Sequence, residues 1–165
     1  MNSQSKKIAL GGVFAALALV IMCLVGLIPI ATYVCPMFCA IICNIVLCYA
    51  GQRIAWAWYT SVAILSLLLA PDKEAAFIFV FLGYYPIIRP FFKKPIFGIL
   101  LKIFYFNLSV CIVYTLLIYL MGLDYLWTEF TEFGWIGFSI LLLLGNVCFF
   151  MLDFLLGRMR HFGKR

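Results

Sequence analysis

Three charged side chains, Asp72, Lys73 and Glu74, stand together in the otherwise apolar segment LLLAPDKEAAFIFVF. Two carboxylates beside an ammonium group could bind a ligand, or they could form a hydrated turn between two helices. Pro71 ends the preceding apolar run, Asp72 can cap the next helix, and Glu74 falls in its first turn, where the helix dipole favours an acid. Lys73 has no such explanation, so we predict that it pairs with an acid on the same side or with an anionic ligand group.

Residues that could catalyse a reaction are scarce in this chain. Its only histidine is His161, and its seven cysteines form no C-x-x-C pair, so the usual spacings of metal and redox sites are absent. At the depth of the apolar runs we find neither paired acids nor a serine with a base. We therefore expect no enzymatic activity and no bound metal or cofactor.

Three amide side chains, those of Asn44, Asn107 and Asn146, lie near the middle of apolar runs. An amide in lipid needs a hydrogen-bond partner, either on another helix or on a ligand. Tyr33 belongs to the uncharged segment GLIPIATYVCPMF, which could fold over a pocket as a lid or lie at the membrane interface. The candidate ligand-binding residues of an outer pocket and its lid are Tyr33, Asn44, Asp72, Lys73, Glu74 and Asn146.

The apolar runs around these residues indicate that lipid is the solvent of most of the chain. The 165 residues are 67% hydrophobic and 11% charged, with a mean hydropathy of +1.17. Continuous runs predict helices, whereas the strands of a membrane barrel alternate apolar and polar residues. We predict an all-α integral membrane protein, a single domain with six transmembrane helices at about 8–28, 36–50, 54–70, 75–88, 96–121 and 135–156.

The basic residues predict which ends of the helices face the cytoplasm. The net charge is +6, and all of the twelve basic residues except Lys73 and Lys102 fall at helix ends that six spans would bring to one side. The positive-inside rule then predicts a multi-pass protein of the cell membrane with both termini in the cytoplasm, N-in and C-in. This distribution is explained by the lipid bilayer, so we expect no nucleic-acid partner.

Two charged residues lie inside apolar runs, Lys102 in the fifth and Asp153 in the sixth. Both lie within about two turns of the predicted cytoplasmic end, so their depths are similar and their signs opposite. An isolated charge in lipid is unfavourable, and we therefore hypothesise a structural ion pair between the two helices. Independent snorkelling of each side chain to the interface is the alternative.

The first apolar run contains small residues four positions apart. Gly11 is followed by Ala15, and Gly12 by Ala16, so two small pairs lie on neighbouring faces of the predicted helix. Small residues allow another helix to approach closely, and van der Waals packing supplies much of the association energy in lipid. The strip is either a docking surface for a partner subunit or an internal packing surface.

Several stretches together resemble a known family. They are the strip GGVFAALALVI, the proline-containing connection GLIPIATYVCP, the short second run ending in AGQR and the third beginning IAWAWYTSVAILSLL. This layout looks like the substrate-binding S components of energy-coupling-factor vitamin transporters. The resemblance implies an uptake module that captures a vitamin-like molecule from outside and docks through Gly12 and Ala16 on a transmembrane coupling subunit. Two partner ATPases would supply the energy.

A second class of function fits the same features. The rod-shape-determining membrane proteins of bacteria are similar in size and helix number, and they transport nothing. The many aromatic residues and the few polar groups of the predicted outer half favour such a scaffold, which would bind other membrane proteins and no small ligand.

Overall fold

The computed structural model describes residues 3–27, 31–92, 95–121 and 124–162, which are helical apart from short connections. No β-strand occurs in these ranges. The α-helices within them are α1 (Ser3–Leu24), α2 (Ala31–Ala50), α3 (Gln52–Leu69), α4 (Lys73–Leu82), α5 (Tyr85–Ile88), α6 (Pro95–Met121) and α7 (Asp124–Phe162). Short 3₁₀ helices follow α1, at Val25–Leu27, and α5, at Arg89–Phe92.

The described chain contains segments that are long and apolar enough to cross a membrane. There are five, Gln4–Leu24, Ala31–Ala50, Lys73–Phe91, Gly98–Tyr119 and Leu142–Met159, and α4 and α5 together form the third of them. The helix predicted at about 54–70 is present as α3, but α3 is not among the five. The structure therefore gives an all-helical chain with five candidate spans where the sequence predicts six.

The serine and threonine hydroxyl groups of α3 are satisfied within the helix itself, and the Tyr59 hydroxyl donates to the carbonyl oxygen of Val80 on α4. Thr60 donates to the carbonyl oxygens of Trp56 and Ala57, and Ser61 donates to that of Ala57. Ser66, which is fully buried, donates to the carbonyl oxygen of Ala63. Because the hydroxyls need no water, α3 can pack against α1, α2 and α4 along its length.

The second helix begins earlier than the sequence predicts. α2 starts at Ala31 and continues through Pro36, whereas the predicted helix starts at Pro36. A proline near the start of a helix forfeits only the bond to the carbonyl four residues before it, here that of Thr32. Tyr33 is therefore helical, so the correction to the predicted lid is that most of GLIPIATYVCPMF belongs to α2 or to the first 3₁₀ helix.

The fourth predicted helix, at about 75–88, is interrupted in the structure. α4 ends at Leu82, and α5 starts at Tyr85 with Pro86 in its first turn. In a continuous helix the ring of Pro86 would clash with the carbonyl of Leu82 and leave that carbonyl without a donor. The break at Gly83 and Tyr84 avoids this clash and sets the direction of the chain that leads to Arg89.

The interior consists of three apolar clusters. The largest joins α1, α2, α3 and α4 around Met22, Cys43, Val62 and Phe79. A second joins α2 to α5, α6 and α7, with rings at Tyr85, Phe106 and Phe149. A third joins α4 to α6. These contacts hold the ends of α4 and α5 close to α2, α6 and α7, where the polar side chains meet.

Candidate functional site

Charged side chains and their polar partners from different helices gather in two clusters, at opposite ends of the segment Lys73–Phe91. The first, here called the Glu74 cluster, consists of Thr32, Tyr33, Asp72, Glu74 and Tyr114. The second, here called the Asp153 cluster, consists of Tyr85, Arg89, Lys102 and Asp153. Each is a candidate site because it gathers polar groups in a chain that is otherwise apolar.

Glu74 is the centre of the first cluster. Its Oε1 atom accepts hydrogen bonds from the hydroxyl of Tyr33 on α2, at 2.9 Å, and from that of Tyr114 on α6, at 2.8 Å. The two tyrosine hydroxyl oxygens are themselves 2.7 Å apart. Tyr33 is 42% exposed, so the cluster reaches the surface of the protein. A carboxylate and two phenols from three helices thus share one point.

Asp72 holds the start of α4. Its Oδ1 atom accepts from the backbone N–H groups of Glu74, at 2.9 Å, and Ala75, at 3.4 Å, which is the helix cap predicted from the sequence. Its Oδ2 atom accepts from the hydroxyl of Thr32 at 2.8 Å. Both oxygens of Asp72 therefore have partners that tie α4 to α2.

The ammonium group of Lys73 lies against the end of α3. It donates to the backbone carbonyls of Leu67, at 2.9 Å, and Ala70, at 3.0 Å. These are among the last carbonyls of α3, which lack donors within that helix, and a positive charge there also suits the helix dipole. The structure thus gives Lys73 a capping position at the end of α3, and its pairing with an acid or an anionic ligand group stays a prediction.

The two predicted amides lie away from the Glu74 cluster. Asn44 is eleven residues beyond Tyr33 on α2, so it lies about 16 Å further along the helix. Asn146 donates to the side-chain oxygen of Asn107 at 3.2 Å and to the carbonyl of Leu142 at 2.8 Å. This contact joins α6 to α7, as the interhelical alternative expects. The amide nitrogen of Asn44 is buried, with no hydrogen-bond partner in the part of the chain that the structure describes.

The Asp153 cluster contains the ion pair that the sequence analysis hypothesises. Lys102 Nζ lies 2.7 Å from Asp153 Oδ2. Asp153 Oδ1 accepts a second charged bond from Arg89 Nε at 2.6 Å and a hydrogen bond from the Tyr85 hydroxyl at 2.7 Å. The side chains of Asp153, Lys102 and Arg89 are 12%, 15% and 23% exposed. One acid therefore serves two bases and one phenol in a largely buried place.

Arg89 and Tyr85 are the members of this cluster that sequence reasoning missed, because their partner Asp153 is more than sixty residues away along the chain. Gly157 lies one turn after Asp153 on α7, beside Arg89. A side-chain β-carbon at Gly157 would lie 2.6 Å from Arg89 Nη2. The glycine thus makes room for the guanidinium group beside the α7 backbone.

The small residues of α1 divide between two surfaces. Gly11 is buried, and a β-carbon there would lie 3.7 Å from Ile54 on α3, while Ala15 packs at the edge of the largest apolar cluster. Gly12 and Ala16 are exposed, and a β-carbon at Gly12 would meet nothing within 4 Å. The first pair serves internal packing, and only the second faces outward.

Comparison with known proteins identifies no relative. No family model matches the chain, and no curated protein or solved structure matches it either.

Proposed function

We propose that this protein is a membrane-embedded substrate-binding subunit for the uptake of a small vitamin-like molecule, of the S-component kind. It is a multi-pass protein of the cell membrane with both termini in the cytoplasm. It captures the molecule at the Glu74 cluster and docks through the exposed Gly12 and Ala16 on a coupling subunit, which works with ATPases. The observation that carries this proposal is that three helices bring a carboxylate and two phenols to one point that reaches the surface.

The chemistry of the Glu74 cluster selects the class of ligand. Carboxylates and phenols accept hydrogen bonds, and aromatic rings attract cations, so the cluster favours a molecule with a positively charged or donor-bearing nitrogen. Lys73 donates to the carbonyls of α3 and not to Glu74, so it does not neutralise the Glu74 carboxylate. The ligand would bond to Glu74 and to the exposed edge of Tyr33.

Native mass spectrometry of the gently purified protein tests this function. We expect a retained small molecule on the wild-type protein and its loss from Glu74→Gln, which keeps the shape of the side chain and removes its charge. Ser61→Ala is the matched control, because Ser61 is exposed and bonds only to its own helix, and it should retain the molecule. A wild-type protein that carries no small molecule but holds a stable protein partner would contradict the proposal.

The second candidate function is a non-transporting scaffold of the rod-shape-determining type. It is favoured by the structural use of polar groups beside Glu74, since Asp72 caps α4 and Lys73 caps α3. In this case the exposed strip of α1 would bind other membrane proteins. The proteins that copurify distinguish the two functions, because transport requires a coupling subunit with ATPases and a scaffold requires envelope-synthesis proteins.

The docking strip can be tested separately from the ligand. Gly12→Leu adds bulk where the fold has open space, so the protein should fold and lose its copurifying partner. Val13→Leu is the control, because Val13 is 69% exposed on a different face of α1. Equal amounts of partner on both variants would place the docking surface elsewhere.

A further inference from the structure

The Asp153 cluster carries more positive than negative charge. Asp153 is its only acid, and it is shared by Arg89 and Lys102, so the three side chains sum to one positive charge. In the described ranges neither base has a second carboxylate within ion-pair distance. Because their side chains are largely buried, the excess charge is poorly hydrated, and an anion beside it would be stabilised.

The two bases also retain unused hydrogen-bond donors. Arg89 contacts Asp153 through Nε, which leaves the two terminal nitrogens of its guanidinium group, and Lys102 uses one of its three protons. At 23% exposure, Arg89 is the most accessible of the charged side chains in the cluster. A guanidinium group with two parallel N–H donors matches the oxygens of a phosphate group.

Gly157 fixes the position of these donors. A β-carbon at this residue would lie 2.6 Å from Arg89 Nη2 and 3.6 Å from Nη1, so only glycine lets the guanidinium group lie against α7. With Nε bonded to Asp153, the guanidinium group is held at one end, and the missing side chain at Gly157 leaves room for the other end. Its terminal donors are therefore pre-organised for an acceptor.

The depth of the cluster indicates where that acceptor comes from. Arg89 lies near the end of the segment Lys73–Phe91, Lys102 near the start of Gly98–Tyr119, and Gly157 near the end of Leu142–Met159. Three candidate spans thus end at the same cluster. The end of a span is the level of the lipid headgroups, where phosphate is the abundant anion.

We propose that Arg89 and Lys102, positioned by Asp153 and Gly157, bind a phosphate group at this end of the helices. The phosphate group belongs either to the headgroup of an anionic phospholipid or to a soluble phosphate compound. Both sources present the same phosphate oxygens to the site. The terminal nitrogens of Arg89 and Nζ of Lys102 donate to the phosphate oxygens, and the cluster then has no excess charge. The site is independent of either candidate function.

Thermal unfolding of the full chain in neutral detergent, with added phosphatidylglycerol or phosphatidylcholine, tests the site. We expect phosphatidylglycerol to raise the midpoint of wild-type unfolding more than phosphatidylcholine does. Arg89→Gln should weaken phosphatidylglycerol binding by about tenfold or more, since a hydrogen bond to a charged group is lost. Arg53→Gln is the control, because Arg53 is an exposed base on α3, and it should bind as the wild type does.

A second variant separates this site from a purely structural ion pair. Asp153→Asn keeps a side-chain oxygen that can accept from Arg89 Nε and increases the excess positive charge, so it should keep or strengthen the response to phosphatidylglycerol even where the protein itself is less stable. Gly157→Ala keeps every charge and should weaken the response by displacing the guanidinium group. An equal response of wild type to both lipids, or of Arg89→Gln and wild type to phosphatidylglycerol, would overturn the proposal, as would loss of the response in Asp153→Asn.

Titration with inorganic phosphate distinguishes the two sources of the group. If a soluble compound is the ligand, phosphate should raise the unfolding midpoint of wild type and compete with phosphatidylglycerol. If the lipid is the ligand, phosphate at the same ionic strength as a chloride control should have no effect. Either result supports the site only when Arg89→Gln loses the response that wild type shows, to inorganic phosphate in the first case and to phosphatidylglycerol in the second.

Discussion

The Asp153 side chain joins three helical segments, because its two oxygens accept from Tyr85 and Arg89 on one side and from Lys102 on the other. Asp153→Ala leaves the two bases close together without a counter-charge. We expect it to lower the free energy of unfolding by about 3 kcal/mol, the low end for breaking a buried pair, since the side chains are partly exposed. Denaturant unfolding in neutral detergent measures this loss. Unfolding at the wild-type midpoint would show that the pair stabilises nothing.

The presence of Arg89 changes what a charge swap can show. Exchanging Lys102→Asp and Asp153→Lys would restore a simple pair, but here the new lysine at position 153 would face the Arg89 guanidinium group. We therefore expect the double variant to remain less stable than wild type, and Arg89→Gln to restore part of its stability. The same unfolding measurement applies. A double variant as stable as wild type would show that Arg89 is only weakly coupled to Asp153.

Lys73 is expected to matter for stability and not for ligand binding. Lys73→Ala removes both donors from the last carbonyls of α3, and we expect a loss of about 1 kcal/mol. Its unfolding midpoint should fall, while the small molecule retained in native mass spectrometry should be unchanged. Loss of that molecule with unchanged stability would instead support the anionic ligand group that the sequence suggested.

The sequence was informative where a contact is local and where a charge is rare. The cap by Asp72 follows from its position before an apolar run, and the pair of Lys102 and Asp153 follows from their depth. Arg89 and Tyr85 were missed because their partner is more than sixty residues away and depends on which helices are neighbours. Spacing along the chain does not contain that information.

Among the helices, the break between α4 and α5 depends on close packing at Gly83. A β-carbon there would lie 2.5 Å from the carbonyl oxygen of Phe79 and 2.6 Å from its ring. We expect Gly83→Ala to lower the free energy of unfolding by about 2 kcal/mol through overpacking. Gly12→Ala is the matched control, because nothing lies within 4 Å of its β-carbon position, and its stability should equal or slightly exceed that of wild type. Equal unfolding midpoints of the two variants would contradict this account.

Helix existence was easier to predict than helix ends. Each of the six apolar runs contains an observed helix. α2 begins at Ala31 because Pro36 is tolerated near a helix start. α4 ends at Leu82 because Pro86, one turn after Leu82, is not tolerated within a continuous helix. The two prolines have opposite effects that depend on their distance from the helix start. α7 begins at Asp124, eleven residues before the predicted start at about 135.

At the scale of the whole molecule, the surface is apolar between two polar ends. Large hydrophobic side chains are exposed on α1, α6 and α7, for example Val13, Phe104 and Phe154 at 69%, 66% and 67%. Such surfaces suit lipid and not water. The Glu74 and Asp153 clusters lie at opposite ends of the Lys73–Phe91 segment, as expected for two membrane faces. Which face is cytoplasmic remains a prediction from the basic residues.

Whether α3 crosses the membrane decides which of the two clusters faces the cytoplasm. α3 is not among the five apolar candidate spans, but its 18 residues reach about 27 Å, close to the thickness of a hydrocarbon core. It packs against α1, α2 and α4 on one face and exposes large apolar side chains such as Ile64 and Leu68 on the other, which suits lipid, so we expect it to cross the membrane. A green fluorescent protein fused after Gly51 or at the C-terminus should then fluoresce, and alkaline phosphatase fused after Pro71 should be active. The same reporter active after both Gly51 and Pro71 would mean that α3 does not cross, and the Glu74 and Asp153 clusters would then require a new assignment to the two faces.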